Sequence, residues 1–256
     1  MARFKVGVQL EPQHCSVADL RRAWHDLDVA GVDSIWTWDH FFPLHGDPEG
    51  THYEGWTLLT AAACDTKQAA LGILVSCNSY RSPDLLADIA RTADHVSGGR
   101  VILGIGAGWC ERDYEEYGFE FGTEASRVAA LGEGLPRLKA RLAKLNPPPL
   151  GPMPICIGAE GEQVMLRLVA EHADIWNGFG PVETFAHKNR VLDEWCGRVG
   201  RNPADVERSV TLTGRDDPDR VDGFVAAGAQ HLILPLGTPF DVTPVERLLT
   251  AAKASG

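Results

Sequence analysis

Residues 71–112, LGILVSCNSYRSPDLLADIARTADHVSGGRVILGIGAGWCER, leave few folds open to this chain. Two apolar runs, 71–76 and 101–105, show no polar alternation, so each must be covered on both faces, as the strands of a parallel sheet are. Between them, residues 82–96 carry Leu85, Leu86, Ile89, Ala93 and Val96 at helical spacing. Ser82 as cap, Pro83 at the first position and Asp84 in the first turn start this helix, and Gly98-Gly99 stops it. The unit is strand, helix, strand, with the right-handed crossover that parallel neighbours require.

The rest of the chain repeats the alternation. A first strand is expected over 4–10 (FKVGVQL), then a helix over 16–30 with Leu20, Trp24, Leu27 and Ala30 on one face, stopped by Gly31. A second strand, 34–38, delivers Asp39-His40 and leads through a polar loop, 41–53, to a helix over 54–64. The unit at 71–112 follows, then a helical region, 111–145, interrupted at 118–122, and an extended proline-rich connector, 146–154. Strands at 155–157, 174–177, 208–212 and 231–236 alternate with helices ending near 172 and spanning 181–199, 218–227 and 244–253. Eight strands alternating with eight helices in 256 residues predict a (β/α)₈ TIM barrel, one domain over 1–256. A doubly wound sheet would need its dinucleotide fingerprint after the first strand, where Gln9-Leu10-Glu11-Pro12 offers no glycine.

Net charge is −11, from 24 basic and 35 acidic residues, which leaves no electrostatic footprint for nucleic acid and no basic patch for a membrane surface. No apolar run suits a signal peptide or a spanning helix, and a cytoplasmic protein is expected. Six cysteines lack paired spacing, and nine histidines form no ligand motif. Neither a disulfide framework nor a metal site is expected.

In such a barrel, chemistry sits at the C-terminal strand ends. Here those ends are Glu11, Asp39-His40, Cys77-Asn78, Gly106-Ala107-Gly108, Gly158-Ala159-Glu160-Gly161, Asn177, Thr213 and Pro235. His40 is suited to proton transfer near neutrality, and strand alternation lets only one of Asp39 and His40 point into the mouth. The two glycine turns can cradle a phosphate on backbone N–H groups or simply mark tight turns, and Glu160 would repel an anion. Trp36, Trp38, Trp109 and Trp176 lie at or near strand ends, as a lining for a flat ring or as core. Cys77 and Cys110 have no visible activating partner and read as spectators.

Beyond these features, the stretch from residue 71 to 118, with DSIWTWDHFF (33–42) and CIGAEGEQVMLRLVAEHADIWN (156–177), closely resembles the bacterial luciferase-like superfamily, in its branch of deazaflavin-dependent (coenzyme F420) oxidoreductases. The resemblance covers roughly residues 4–198. It implies a deazaflavin at the mouth, with FMN the alternative, backed by a bulge in the third strand whose non-prolyl cis peptide corresponds to Leu74–Val75. Ser76 belongs to that bulge, and Asn78 would lie near the ring edge. The phosphate-bearing tail would rest on Gly106, Ala107, Gly108 and Trp109 and on Gly158, Ala159, Glu160 and Gly161. His40 would donate or accept a proton at the reactive carbon, and Asp39 would hold the ring or orient His40. The implied activity is hydride exchange between the coenzyme and a small, apolar organic substrate. A reduced-FMN monooxygenase and a non-catalytic barrel are the rivals, and a homodimer through an apolar patch on the second and third helices is expected.

Two departures from the family pattern carry expectations of their own. The segment before residue 155 is short, so the mouth would be open or covered by a partner subunit. Ala159 and Glu160 replace a more glycine-rich turn, which would loosen the hold on a phosphate. Leu44 and Trp109 also stand where the sugar-phosphate dehydrogenase subgroup carries tryptophan and glutamate.

Overall fold

The computed structural model describes residues 4–212 and 221–254. Strands β1 (Lys5–Leu10), β2 (Ser34–Thr37), β3 (Ala70–Ile73), β4 (Ser76–Cys77), β5 (Val101–Gly106), β6 (Ile155–Gly158), β7 (Ile175–Gly178), β8 (Glu207–Thr211) and β9 (His231–Leu236) form one parallel sheet. The short β4 continues β3 past a break, and both pair with β5. β1 pairs with β2 on one side and β9 on the other, which closes the sheet. Helices α1 (Val17–Ala30), α2 (Gly55–Asp65), α3 (Pro83–Ser97), α4 (Glu111–Tyr117), α5 (Glu124–Leu142), α6 (Met165–His172), α7 (Val182–Val199), α8 (Val221–Ala226) and α9 (Thr243–Ala254) connect the strands. The predicted (β/α)₈ barrel is the observed fold. Among the described residues, no helix is long and apolar enough to cross a membrane.

Strand side chains alternate across the barrel wall. Val6, Val8 and Leu10, with Ile35, Leu71, Ile73, Leu103, Ile105 and Ile157, point outward into the main core beneath the helices. Trp36, Leu74, Ile102, Cys156, Ile175 and Ile233 point inward and fill the barrel's waist. Below them the interior turns polar. Lys5 Nζ donates to Glu207 at 2.6 Å, Glu207 lies 3.0 Å from His231 Nδ1, and His231 Nε2 lies 2.8 Å from Ser34 Oγ. Trp36 Nε1 donates to the same Ser34 hydroxyl at 2.6 Å, so the polar chain runs up to the apolar waist.

The helix signals at α3 act as expected. Ser82 accepts from the Leu85 backbone N–H, and Gly98 closes the helix in the left-handed region at φ 74°. The buried face differs from the predicted stripe: Leu86, Ala87, Ala90 and Ala93 are buried, while Leu85 and Val96 are exposed. Small alanines let α3 sit close to its neighbours, and the bulkier side chains turn outward. The expected apolar patch on the second and third helices is reduced to these two residues of α3, since the large apolar side chains of α2 are buried.

Three further expectations concern continuity. The third strand, predicted unbroken over 71–76, is split at the Leu74–Val75 peptide, which is cis. The helical region at 111–145 divides into α4 and α5 at the predicted interruption, where Gly118 caps α4 at φ 72°. The helix expected over 218–227 is seen as α8, and its first residues, like Thr213, lie outside the described residues.

Candidate active site

His40 follows β2, and Asp113 lies in the first turn of α4, beyond β5. The barrel brings them together. His40 Nδ1 lies 2.6 Å from Asp113 Oδ2, and the Asp113 side chain is completely buried. Asp113 also accepts the Phe41 backbone N–H at 3.0 Å and the Tyr80 hydroxyl at 3.1 Å. Burial pulls the His40 imidazole down, but the hydrogen bonds and charges of Asp113 and Cys110 outweigh it and push His40 up to about 9. The ring is therefore a cation at neutral pH, held through Nδ1, which leaves Nε2 as the nitrogen able to exchange a proton.

Trp109 stands edge-on to His40 with ring centroids 5.3 Å apart, and Trp38 does so from 6.0 Å. Trp109 is 65% exposed, so one side of this aromatic frame is open. Trp38 Nε1 donates to His52 Nε2 at 2.8 Å, which fixes the indole. The other two tryptophans are core: Trp36 fills the waist, and Trp176 stacks on Phe185 outside the barrel.

Cys110 precedes α4 and completes a group with His40 and Asp113 whose donor atoms lie within 4.8 Å of one another. These are donor types that bind zinc. Here the direct bond from His40 to Asp113, and the three donors already on Asp113, commit that carboxylate to protons.

Asp39 differs from expectation. Its carboxylate takes two hydrogen bonds from Arg81, at 2.7 and 2.9 Å, and one from the Cys77 backbone N–H at 3.0 Å, and it is buried. It does not touch His40, and the orienting role falls to Asp113. Arg81 also binds Glu54, whose carboxylate caps α2. Alternation explains the result: with His40 turned to the mouth, Asp39 turns into the wall.

The bulge is built from both sides. Gln9 Nε2 donates to the Leu74 carbonyl at 2.9 Å, and Leu74 N donates to the Thr37 carbonyl at 2.7 Å. A Cβ on Gly106 would stand 2.7 Å from the Val75 side chain, and one on Gly158 3.2 Å from it. One on Gly104 would meet the Ile73 carbonyl at 1.9 Å. These bare positions are thus occupied by the Val75 bulge, which accounts for two of the glycines expected to cradle a phosphate. Gly108, at φ 82°, has Tyr114 and Cys77 where a side chain would go.

Other expected contacts are spent elsewhere. Ser76 Oγ accepts from Trp56 Nε1 behind the wall, and the Asn78 amide oxygen is buried beside Gly134 of α5 without a hydrogen-bond partner among the described residues. The Ala159 N–H donates to the Asn177 carbonyl. Glu160 is exposed and meets Lys188 at 3.2 Å, so its charge is offset. Leu166 N donates to the carbonyl of Gly161.

The mouth, expected to be open or covered by a partner subunit, has part of its rim supplied by the chain itself. Loop 41–53 bridges its β1 and β5 sides. Leu44 N donates to Gln13 at 2.8 Å, His14 lies 2.9 Å from the His45 carbonyl, and Arg112 binds Glu49 and the Pro48 carbonyl. The ring of His14 occupies the space beside Gly46 and Gly50.

Asp113, Gln9 and Arg81 carried no signal in the sequence. Asp113 reads as an ordinary first-turn acid, Gln9 as a strand residue, and Arg81 as a loop charge. Only the pairing of β1, β2, β3 and β5 gives each its partner.

The comparisons with known proteins agree with this barrel fold. The profile of the family described as luciferase-like monooxygenase matches residues 1–219, and the chain belongs to that family. It is 29% identical over 180 residues to an F420-dependent glucose-6-phosphate dehydrogenase of Amycolatopsis mediterranei, a match covering 63% of this chain and 53% of that protein. It is 25% identical to the 4-hydroxyprotoasukamycin monooxygenase of Streptomyces nodosus subsp. asukaensis, over 99% of this chain and 76% of that one. The chain thus spans about half of the first relative and three quarters of the second. Among solved structures, an F420-dependent secondary alcohol dehydrogenase in complex with an F420-acetone adduct superposes with a TM-score of 0.86 at 15% identity, covering all of both chains, and this likeness concerns the fold.

Proposed function

We propose that the protein is an oxidoreductase that exchanges a hydride between coenzyme F420 and a small organic substrate, with His40 as the proton donor and acceptor. The observation that carries this reading is the buried Asp113–His40 pair at the mouth, an imidazole held in one orientation and charged at neutral pH. Relatives of both kinds, an F420-dependent dehydrogenase and a monooxygenase, support redox chemistry at this mouth.

The residues fit a flat ring. Val75 rises from a floor of glycines as a small apolar surface, and Trp38 and Trp109 frame His40 at the mouth. Lys188 offsets Glu160, so a negative tail is not opposed there by an unpaired carboxylate. When bound, the deazaflavin supplies the hydride, and the protein supplies position and electrostatics. Asp113 holds His40 Nδ1–H, and Nε2 carries the proton that a carbonyl oxygen needs when it is reduced; the reverse sense, taking a proton from an alcohol, needs the neutral ring and is favoured as pH rises through about 9. Loop 41–53, strapped to Gln13, His14 and Arg112, limits water at one side of the site. No sugar-phosphate substrate is carried over from the dehydrogenase relative, because Leu44 and Trp109 differ from that subgroup at two positions. A homodimer and a cytoplasmic location belong to the same reading.

The first test is a fluorescence titration of the purified protein with F420 and, in parallel, FMN. Tighter binding of F420 supports the proposal. Preference for FMN, with oxygen uptake in the presence of reduced FMN, would shift the assignment to a monooxygenase, the reading favoured by the relative that spans nearly the whole chain. Binding of neither would leave a non-catalytic barrel. Replacing His40 by alanine should leave coenzyme affinity within about threefold and lower turnover by about 10²–10⁴-fold, the usual worth of a positioned acid or base.

A further inference from the structure

The donors on Asp113 divide unequally between its two oxygens. Oδ1 accepts the Phe41 N–H at 3.0 Å, while Oδ2 lies 2.6 Å from His40 Nδ1 and also accepts the Tyr80 hydroxyl at 3.1 Å. The imidazole and the phenol therefore share one carboxylate oxygen. Tyr80 is held there by packing: it is 7% exposed, and its ring lies against Phe41, Tyr114 and Phe119 with centroids 4.8, 5.2 and 5.1 Å away. Burial, with Cys77 and Asp113 beside it, pushes the phenol above its ordinary value, so the hydroxyl keeps its proton and donates.

We infer that Tyr80 is a positioning residue acting through Asp113: by sharing Oδ2 it loosens the carboxylate's hold on the imidazole, and so lowers the pH at which His40 releases its proton. A hydrogen bond to a carboxylate stabilises its charged form, which leaves less attraction for any other donor on the same oxygen. Burial raises the Asp113 carboxyl, and the bonds from His40, Phe41 and Tyr80 outweigh it. Without the phenol, Oδ2 would face Nδ1–H alone, and the ring would keep its proton to higher pH. That sign is opposite to the one expected if Tyr80 only propped Asp113 in place, since a looser carboxylate would hold the imidazolium less well. The other titratable groups facing His40 are Cys110, before α4, and His52, in loop 41–53, while Cys77 and Tyr114 face Tyr80. Burial and the nearby His40 charge pull His52 down to about 4, so it stays neutral where His40 titrates. The consequence for catalysis rests on the proposed function: a ring that releases its proton more readily serves hydride exchange in both senses, as donor to a carbonyl and, once neutral, as acceptor from an alcohol.

The test is a ring-proton NMR titration of His40 in the full chain without coenzyme or substrate, the resonance being assigned by its loss in His40→Asn. No coenzyme is needed, so the result is separate from the F420 titration that decides the proposed function. In Tyr80→Phe, which keeps the ring and removes only the hydroxyl, His40 should titrate at higher pH than in the unmodified protein. A ring-fluorinated tyrosine at position 80, whose more acidic phenol donates more strongly, should move the titration lower. Tyr114→Phe is the control from the same aromatic cluster, since its hydroxyl meets Cys77 Sγ at 3.1 Å and the Ala107 carbonyl at 3.4 Å, and it should leave His40 in place. An unmoved or lowered titration in Tyr80→Phe would overturn the inference, as would an equal rise in Tyr114→Phe. If Tyr80→Phe does not fold, the fluorinated protein decides the matter, and an unmoved or raised titration there counts against the inference.

Discussion

His40 and Asp39 are adjacent in the chain, and their side chains serve opposite sides of the barrel wall. His40 owes its charge to Asp113, so removing that carboxylate by Asp113→Asn leaves burial unopposed, and burial favours the neutral ring. Because the folded value is raised, the pair's contribution to stability is complete below the ordinary histidine range and is lost as pH rises through about 9. A ring-proton NMR titration of His40 should give an apparent pKa near 9 in the unmodified protein and a lower one in Asp113→Asn; an unmoved titration would show that Asp113 does not set it. Asp39→Ala should behave differently. It strips Arg81 of a buried bidentate partner while leaving Glu54, and should lower stability by about 1–3 kcal/mol, measured by urea denaturation, while the His40 titration stays in place. The choice of His40 as the mouth-facing residue was legible from strand alternation. Its partner was not, because Asp113 lies 73 positions further on and looks like any acid at a helix start.

At the scale of elements, the third strand determines the shape of the site. Its break at Leu74–Val75 lifts Val75 toward the mouth, and the neighbouring strands accommodate it by carrying glycine at 104, 106 and 158. A methyl group at 104 has nowhere to go, since it would lie 1.9 Å from a main-chain carbonyl. Gly104→Ala should therefore cost at least about 1–3 kcal/mol by overpacking and weaken coenzyme binding in the same titration, whereas Gly197→Ala, where nothing lies within 4 Å, should do neither. A Gly104→Ala protein with an unchanged denaturation midpoint would show that the strands can part without loss. The glycines were visible in the sequence, but their reason was not. A glycine after a strand reads equally as a turn, a phosphate nest or room for a neighbour, and only the position of Val75 decides among these.

For the whole molecule, the two ends of the barrel are chemically distinct. The C-terminal mouth carries the candidate site, while the opposite end carries the polar network of Lys5, Glu207, His231 and Ser34. Burial raises the Glu207 carboxyl, but its bonds to His231 and Lys5 overcome this and hold it at about 2. Its folded pKa is depressed, so its contribution is present above the ordinary value of 4.5 and is lost as pH falls toward about 2. Urea midpoints measured between those limits should fall steeply for the unmodified protein and less steeply for Glu207→Gln, which starts from a lower plateau. Parallel curves would exclude this network as a cause of acid unfolding.

The sequence by itself determined the order of strands and helices, and hence the barrel, because each apolar run and each helix cap is a local signal written within about 15 residues. It also determined which strand ends meet at the mouth, since a parallel barrel gathers all its C-terminal ends on one face. Only the tertiary structure decided which side chains act together there. The bonds from Asp113 to His40, Gln9 to Leu74 and Arg81 to Asp39 join segments 73, 65 and 42 residues apart. Such pairings leave no mark on local periodicity, because their partners become neighbours only when distant strands pair in the sheet.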